Sequence, residues 1–203
     1  MVESSIGSRV HENGSGGSSN SDPTNLTRWV HSFESHDGGG RKLLGGKGAE
    51  LAEMTSLGLP VPPGFTITTA ACLEYYRNDQ TPPDDLWDQV DEELRGLENA
   101  TGRKFGDPAN PLLLSVRSGA AISMPGMMDT ILNLGINQSV ADGIASRLGD
   151  EHFALHLYRR FIQMHANVVM SVPGSLFEKA LEDLRNNAGV DSNAGLVRAT
   201  CTS

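Results

Sequence analysis

Gly45-Gly46-Lys47-Gly48 sets three glycines and a lysine at the front of an apolar-periodic stretch. Glycines let backbone N–H groups approach an anion closely, a helix N-terminus carries partial positive charge, and Lys47 adds a full one. The spacing and the absence of a following Ser or Thr exclude a Walker A loop. The same residues also suit a flexible turn with a solvated lysine. In Ser115-Val116-Arg117-Ser118-Gly119-Ala120 an arginine leaves an apolar run. A guanidinium at a strand end can grip phosphate oxygens bidentately, or pair with a carboxylate at a sheet rim. A third segment runs Ser123-Met124-Pro125-Gly126-Met127-Met128-Asp129-Thr130. Gly126 and the Ser123 and Thr130 hydroxyls can wrap a phosphate while the methionines pack on a base or keep water out. The other reading is core methionines around a plain Pro-Gly β-turn.

Other constellations carry less. His152 and His156 lie four apart and can share a helix face, but no third ligand follows and no metal is expected there. The acidic run Asp84, Asp85, Asp88, Asp91, Glu92 and Glu93 reads as a solvated helix face. No Ser-His-Asp or Cys-His arrangement can be argued, so no catalytic residue is assigned within the chain.

The elements that must position these segments follow from pattern. Residues 1–24 are rich in Ser, Gly and Asn and read as a disordered leader. A short strand is predicted within 26–33, and a helix over 47–57 with Leu51, Met54 and Leu57 on one face. Pro60, Pro62 and Pro63 forbid helix, and 65–68 alternates as a strand. Thr69 is expected to cap a helix to about Arg77, and Asp84 to start another carrying Leu86, Val90, Leu94 and Leu97. Residues 112–116 form one continuous apolar run, expected as a buried strand. The last third reads as helical. Ser139 with Asp142, and Ser175 with Glu178, look like capping boxes, and Phe153, Leu157, Phe161, Met164 and Val168 make one long stripe. The fold class is therefore α+β: an α/β subdomain over 25–137, a helical subdomain over 138–188, and a polar tail over 189–203.

Composition bounds the function. The net charge of −9 and sequence pI of about 5.0 argue against nucleic acid as a partner while leaving room for a single nucleotide. Cys72 and Cys201 have no metal-ligand spacing and suit a reduced, cytoplasmic setting. No apolar run approaches the roughly 18 residues that cross a bilayer, and the first 22 residues resemble neither a secretory signal nor a basic transit peptide.

Several segments together resemble the opening of pyruvate, phosphate dikinase: LLGGKGAELAEM over 43–54, GLPVPPGFTITT over 58–69, SVRSGA over 115–120 and YRRFIQM over 158–164. SMPGMMDTILNLG over 123–135 is the most specific, setting this family apart from looser relatives such as phosphoenolpyruvate synthase. The resemblance runs from about Trp29 to about Asn187. It implies a partial ATP-grasp-like nucleotide-binding domain belonging to a larger chain, with a phospho-His domain that swivels between the ATP site and a barrel binding pyruvate or phosphoenolpyruvate. The implied reaction interconverts ATP, phosphate and pyruvate with AMP, pyrophosphate and phosphoenolpyruvate. By the resemblance, Lys47 and Arg117 are cations on the ATP phosphates, supported by Gly46 and Gly48. Ser123, Met124, Pro125, Gly126, Met127, Asp129 and Thr130 form the loop over those phosphates.

The resemblance further implies Mg²⁺, with ligands expected beyond the end of this chain, and a homodimeric full-length enzyme. Residues 189–203 depart from the family, which points to a truncated product with no turnover of its own. The alternative is a nucleotide-binding or subunit-association module, or an inactive remnant.

Overall fold

A computed structural model describes residues 2–4, 27–35, 40–119 and 129–191. Their contacts fall into two units, one reaching Thr101 and the other built from Gly102–Ser118 and the residues from Asp129 onward. Both mix helix with small strands, so the class is α+β.

In the first unit, β1 (Val2–Ser4) and β2 (Val30–Ser32) flank β3 (Gly64–Ile67), and both pairings are antiparallel. The central strand has both faces covered: Phe65 and Thr66 point to opposite sides and both are buried. Helices α1 (Gly40–Ser56), α2 (Thr69–Arg77) and α3 (Leu86–Thr101) complete the unit, with α1 and α3 packing on β3. Val30, Phe33, Phe65, Ala71, Leu86 and Leu97 supply its apolar core. Each such aliphatic or aromatic side chain removed from water contributes roughly 1.5–3 kcal/mol before entropy is counted.

The second unit holds a short parallel pair, β4 (Lys104–Phe105) with β5 (Pro111–Leu112), and an antiparallel hairpin, β6 (Leu114–Arg117) with β7 (Thr130–Leu134). Helices α4 (Gln138–Leu148), α5 (Glu151–Val168) and α6 (Gly174–Ala188) follow. Val140, Ala141 and Ile144 of α4 meet Ala154 of α5, Leu113 and Ile136, with Leu157, Tyr158 and Phe161 packed around them.

Several local expectations need correction. The first helix begins at Gly40 rather than Lys47, because the chain turns helical before the glycines and breaks only at Gly45. Thr68, not Thr69, caps α2: its side chain accepts from Ala71 N, while Thr69 Oγ1 donates to Lys42 O. The apolar run over 112–116 is two strands separated at Leu113. Asn137 caps α4 by accepting from Val140 N, which leaves Ser139 donating to Asn137 Oδ1 instead of capping. Pro173 precedes α6 with no side-chain cap, so Ser175 and Glu178 form no capping box.

The acidic run is only partly a solvated face. Trp29 Nε1 donates to Asp85 Oδ1 at 2.7 Å, and Arg28 pairs with Glu93 at 3.0 Å. Gln89 Oε1 accepts from Trp29 N and Val30 N, while its Nε2 donates to Thr27 O. Asp85, just before α3, and Gln89 and Glu93 within it thus fasten residues 27–30 at the start of β2. Cys72 is a free, exposed thiol, and Cys201 lies outside the described residues. No helix among the described residues is long and apolar enough to cross a membrane.

Candidate functional site

The glycine segment forms a joint inside α1. Gly45 adopts φ 72°, ψ 174°, which no L side chain takes without strain, so the helix stops after Leu44 and starts again at Gly46. The restart gathers the amides of Gly46, Lys47 and Gly48 at a fresh helix N-terminus with its partial positive charge. Gly45, Gly46 and Gly48 are buried and Lys47 is half-buried. The turn before the joint is tied down at two points. Arg41 pairs with Glu50 at 2.9 Å across the break, and Thr69 Oγ1 donates to Lys42 O at 2.6 Å.

Gly48 is glycine for a second reason. A Cβ there would stand 2.8 Å from Thr66 Oγ1, 3.0 Å from Thr66 Cγ2 and 3.2 Å from Leu44 Cβ. The missing side chain lets α1 settle directly onto the middle of β3. Thr66 is 3% exposed, and its hydroxyl has no hydrogen-bond partner among the described residues. This threonine was not anticipated as a site residue. Its only sequence signal was a polar residue in the alternating stretch Gly64-Phe65-Thr66-Ile67-Thr68.

Arg117 ends β6, where it is directly opposite Thr130 in the ladder with β7. One residue further on, Ser118 N donates to Asp129 O at 3.1 Å and Ser118 Oγ approaches the same oxygen at 3.4 Å. Arg117, Ser118, Asp129 and Thr130 are therefore brought together at the end of one hairpin, from which the Met-rich segment departs. Ser123, Met124, Pro125, Gly126 and Met127 lie outside the described residues. Lys47, Gly46 and Gly48 belong to the first unit, and Arg117, Asp129 and Thr130 to the second.

Elsewhere, a cleft of about 370 Å³ lies along α4 and α5, lined by Ala141, Asp142, Ala145, Ser146 and Glu151 among others. A smaller one of about 200 Å³ is lined by Arg28, Val30, Gln89, Glu92 and Glu93. Neither contains a residue predicted to bind phosphate. The imidazole of His156 is held below its ordinary value, first by desolvation and then by the guanidiniums of Arg159 and Arg160. Among the described residues no group of three or more His, Cys, Asp or Glu could hold a metal ion.

Residues 41–99 match the family described as pyruvate phosphate dikinase, AMP/ATP-binding domain. That match contains the glycine joint and Thr66. The chain is 51% identical over 171 residues to pyruvate, phosphate dikinase of Clostridium symbiosum, covering 84% of this chain and 20% of that protein. It is 54% identical over 159 residues to the chloroplastic pyruvate, phosphate dikinase of Flaveria pringlei, covering 78% of this chain and 16% of the relative. For the pyruvate, phosphate dikinase of Rhizobium meliloti (strain 1021) the values are 50% over 175 residues, 84% and 20%. The chain spans about a fifth of the length of these relatives or less.

Proposed function

The chain belongs to the pyruvate, phosphate dikinase family, and on that premise we propose that it is the part that takes hold of ATP, through Lys47 and Arg117. The observation carrying this reading is the joint at Gly45, which starts a new helix at Gly46-Lys47-Gly48. A helix N-terminus with a lysine in its first turn attracts phosphate oxygens without any rearrangement of charge. Arg117 adds a planar donor suited to bidentate contact, and by the family resemblance Ser123 to Thr130 serve the same phosphates. Phosphoryl transfer asks a protein mainly for positioning and charge neutralisation, which these groups provide.

In this reading the chain forms one side of an ATP-grasp-like clamp, with residues 25–137 as the nucleotide-binding subdomain and 138–188 as a helical one. On the same reading the whole reaction, ATP with phosphate and pyruvate to AMP, pyrophosphate and phosphoenolpyruvate, passes through a phospho-His carried by another domain. Mg²⁺ would offset phosphate charge when bound. The described residues gather no three-ligand group for it, so no step is assigned to it. The test is a coupled assay with the chain, ATP, phosphate and pyruvate. The chain alone should bind ATP and release no phosphoenolpyruvate, and steady phosphoenolpyruvate formation would overturn this division of labour.

A second reading, a domain- or subunit-association module, draws on one observation. Helix α6 buries none of its residues and leaves Leu176 and Leu184 exposed, and Phe153 and Ile162 of α5 are exposed as well. Apolar surface of that kind marks a contact face. Sedimentation of the chain at rising concentration tests it: a monomer throughout would remove self-association.

A further inference from the structure

Thr66 presents a cost without a visible return. A hydroxyl buried without a partner destabilises the folded state, and natural proteins leave few such groups unsatisfied unless something else uses them. Valine would fill the same space with no polar atom to strand. The orphan oxygen also lies in a particular place, against Gly48, two residues past the restart of α1 at Gly46. Gly48 presents no side chain to it, and Leu44, the last residue before the joint at Gly45, also stands close to Gly48, its Cβ 3.2 Å from where a Cβ there would be. The turn carrying Leu44 is held by the exposed Arg41–Glu50 pair and by the Thr69 hydroxyl. An exposed ion pair by itself contributes little to holding this turn.

Resting on the nucleotide reading above, we propose that Thr66 is a ligand-binding residue of that site, whose hydroxyl donates to a phosphate oxygen when the nucleotide seats at the glycine joint. The anion-seeking character of the helix start and of Lys47 selects phosphate over base or ribose as the partner. The hydroxyl then gains in the bound state the bond it lacks in the free one, which converts a stability cost into affinity.

The experiment titrates the 203-residue chain and its Thr66→Val, Thr66→Ser and Lys47→Met variants with ATP, with inorganic tripolyphosphate and with adenosine, and records each thermal midpoint without ligand. Thr66→Val should weaken ATP and tripolyphosphate by about tenfold, the size expected for a lost hydrogen bond to a charged group. It should leave adenosine unchanged and the midpoint level with the parent or above it. Thr66→Ser should keep most of the affinity. A merely structural threonine would lower the midpoint on substitution and spare affinity. If Lys47→Met weakens ATP while Thr66→Val binds like the parent, the role of Thr66 is overturned and the nucleotide site stands. If Thr66→Val weakens ATP but not tripolyphosphate, the phosphate assignment is wrong. If the parent chain binds neither ATP nor tripolyphosphate, the nucleotide reading falls and this inference with it.

Discussion

Thr66 Oγ1 stands 2.8 Å from the point a Cβ on Gly48 would occupy, so the helix that starts at the glycine joint rests on the central strand with no room for a methyl group. Gly48→Ala should therefore destabilise the chain, by about 1–3 kcal/mol as for other overpacked contacts. Gly96, inside α3, has nothing within 4 Å of its own notional Cβ. There the same substitution should stabilise by about 0.5–1 kcal/mol through helix propensity. Urea unfolding of both variants checks the opposite signs.

Gln89 is the second test of packing. Its side chain accepts from the backbone amides of Trp29 and Val30, at the start of β2, and donates to Thr27 O. Gln89→Ala strands those amides and should cost about 1–3 kcal/mol. Substituting Asp88 or Asp91, exposed on the same helix, should change stability by less than about 0.5 kcal/mol. Trp29 fluorescence reports the local loosening, since its indole N–H is anchored to Asp85 on the same turn.

Capping of α4 separates the observed arrangement from the one read in the sequence. Asn137→Ala removes the acceptor for Val140 N and should cost about 1 kcal/mol. Ser139→Ala removes only a donor to Asn137 Oδ1 and should cost no more than about 0.5 kcal/mol. A larger loss at Ser139 would restore the capping box in its place. Thermal denaturation of the two variants decides.

His156 gives a pH dependence with a definite sign. Its folded-state value is lowered by desolvation and by Arg159 and Arg160. The unfolded chain therefore takes up the proton first as pH falls through about 6.5. Stability is unaffected by this group well above that value and declines as pH drops below it. His156→Gln should flatten that part of the stability profile, and equilibrium unfolding at pH 7.5 and pH 5.5 measures it. Because His156 is exposed, the effect is small.

Much of the fold was legible because the signals were local. The prolines at 60, 62 and 63, the alternation before Thr68 and the stripe through Leu157 and Phe161 placed β3 and α5 close to where they stand. What escaped depended on partners distant in sequence. No strand was read over Thr130–Leu134, which is half-buried throughout and pairs with β6. Asp85 and Glu93 looked like solvated charge because Arg28 and Trp29 lie more than fifty residues away.

The site divided in the same way. The glycines at 45, 46 and 48 read as the front of a helix, and a helix does restart there, but the helical turn before them from Gly40 was not foreseen. Thr66 became visible only when α1 was laid on β3, since nothing in Gly64-Phe65-Thr66-Ile67 tells a paired hydroxyl from an orphan.

The most direct measurement of the central claim is a calorimetric titration of ATP into the 203-residue chain, set beside Lys47→Met and Arg117→Met. A single-site isotherm for the parent, weakened by about tenfold or more in each variant, is the result expected of two phosphate-binding cations. A parent chain that binds no ATP, or variants that bind it as well as the parent, would contradict the assignment of Lys47 and Arg117 to nucleotide binding.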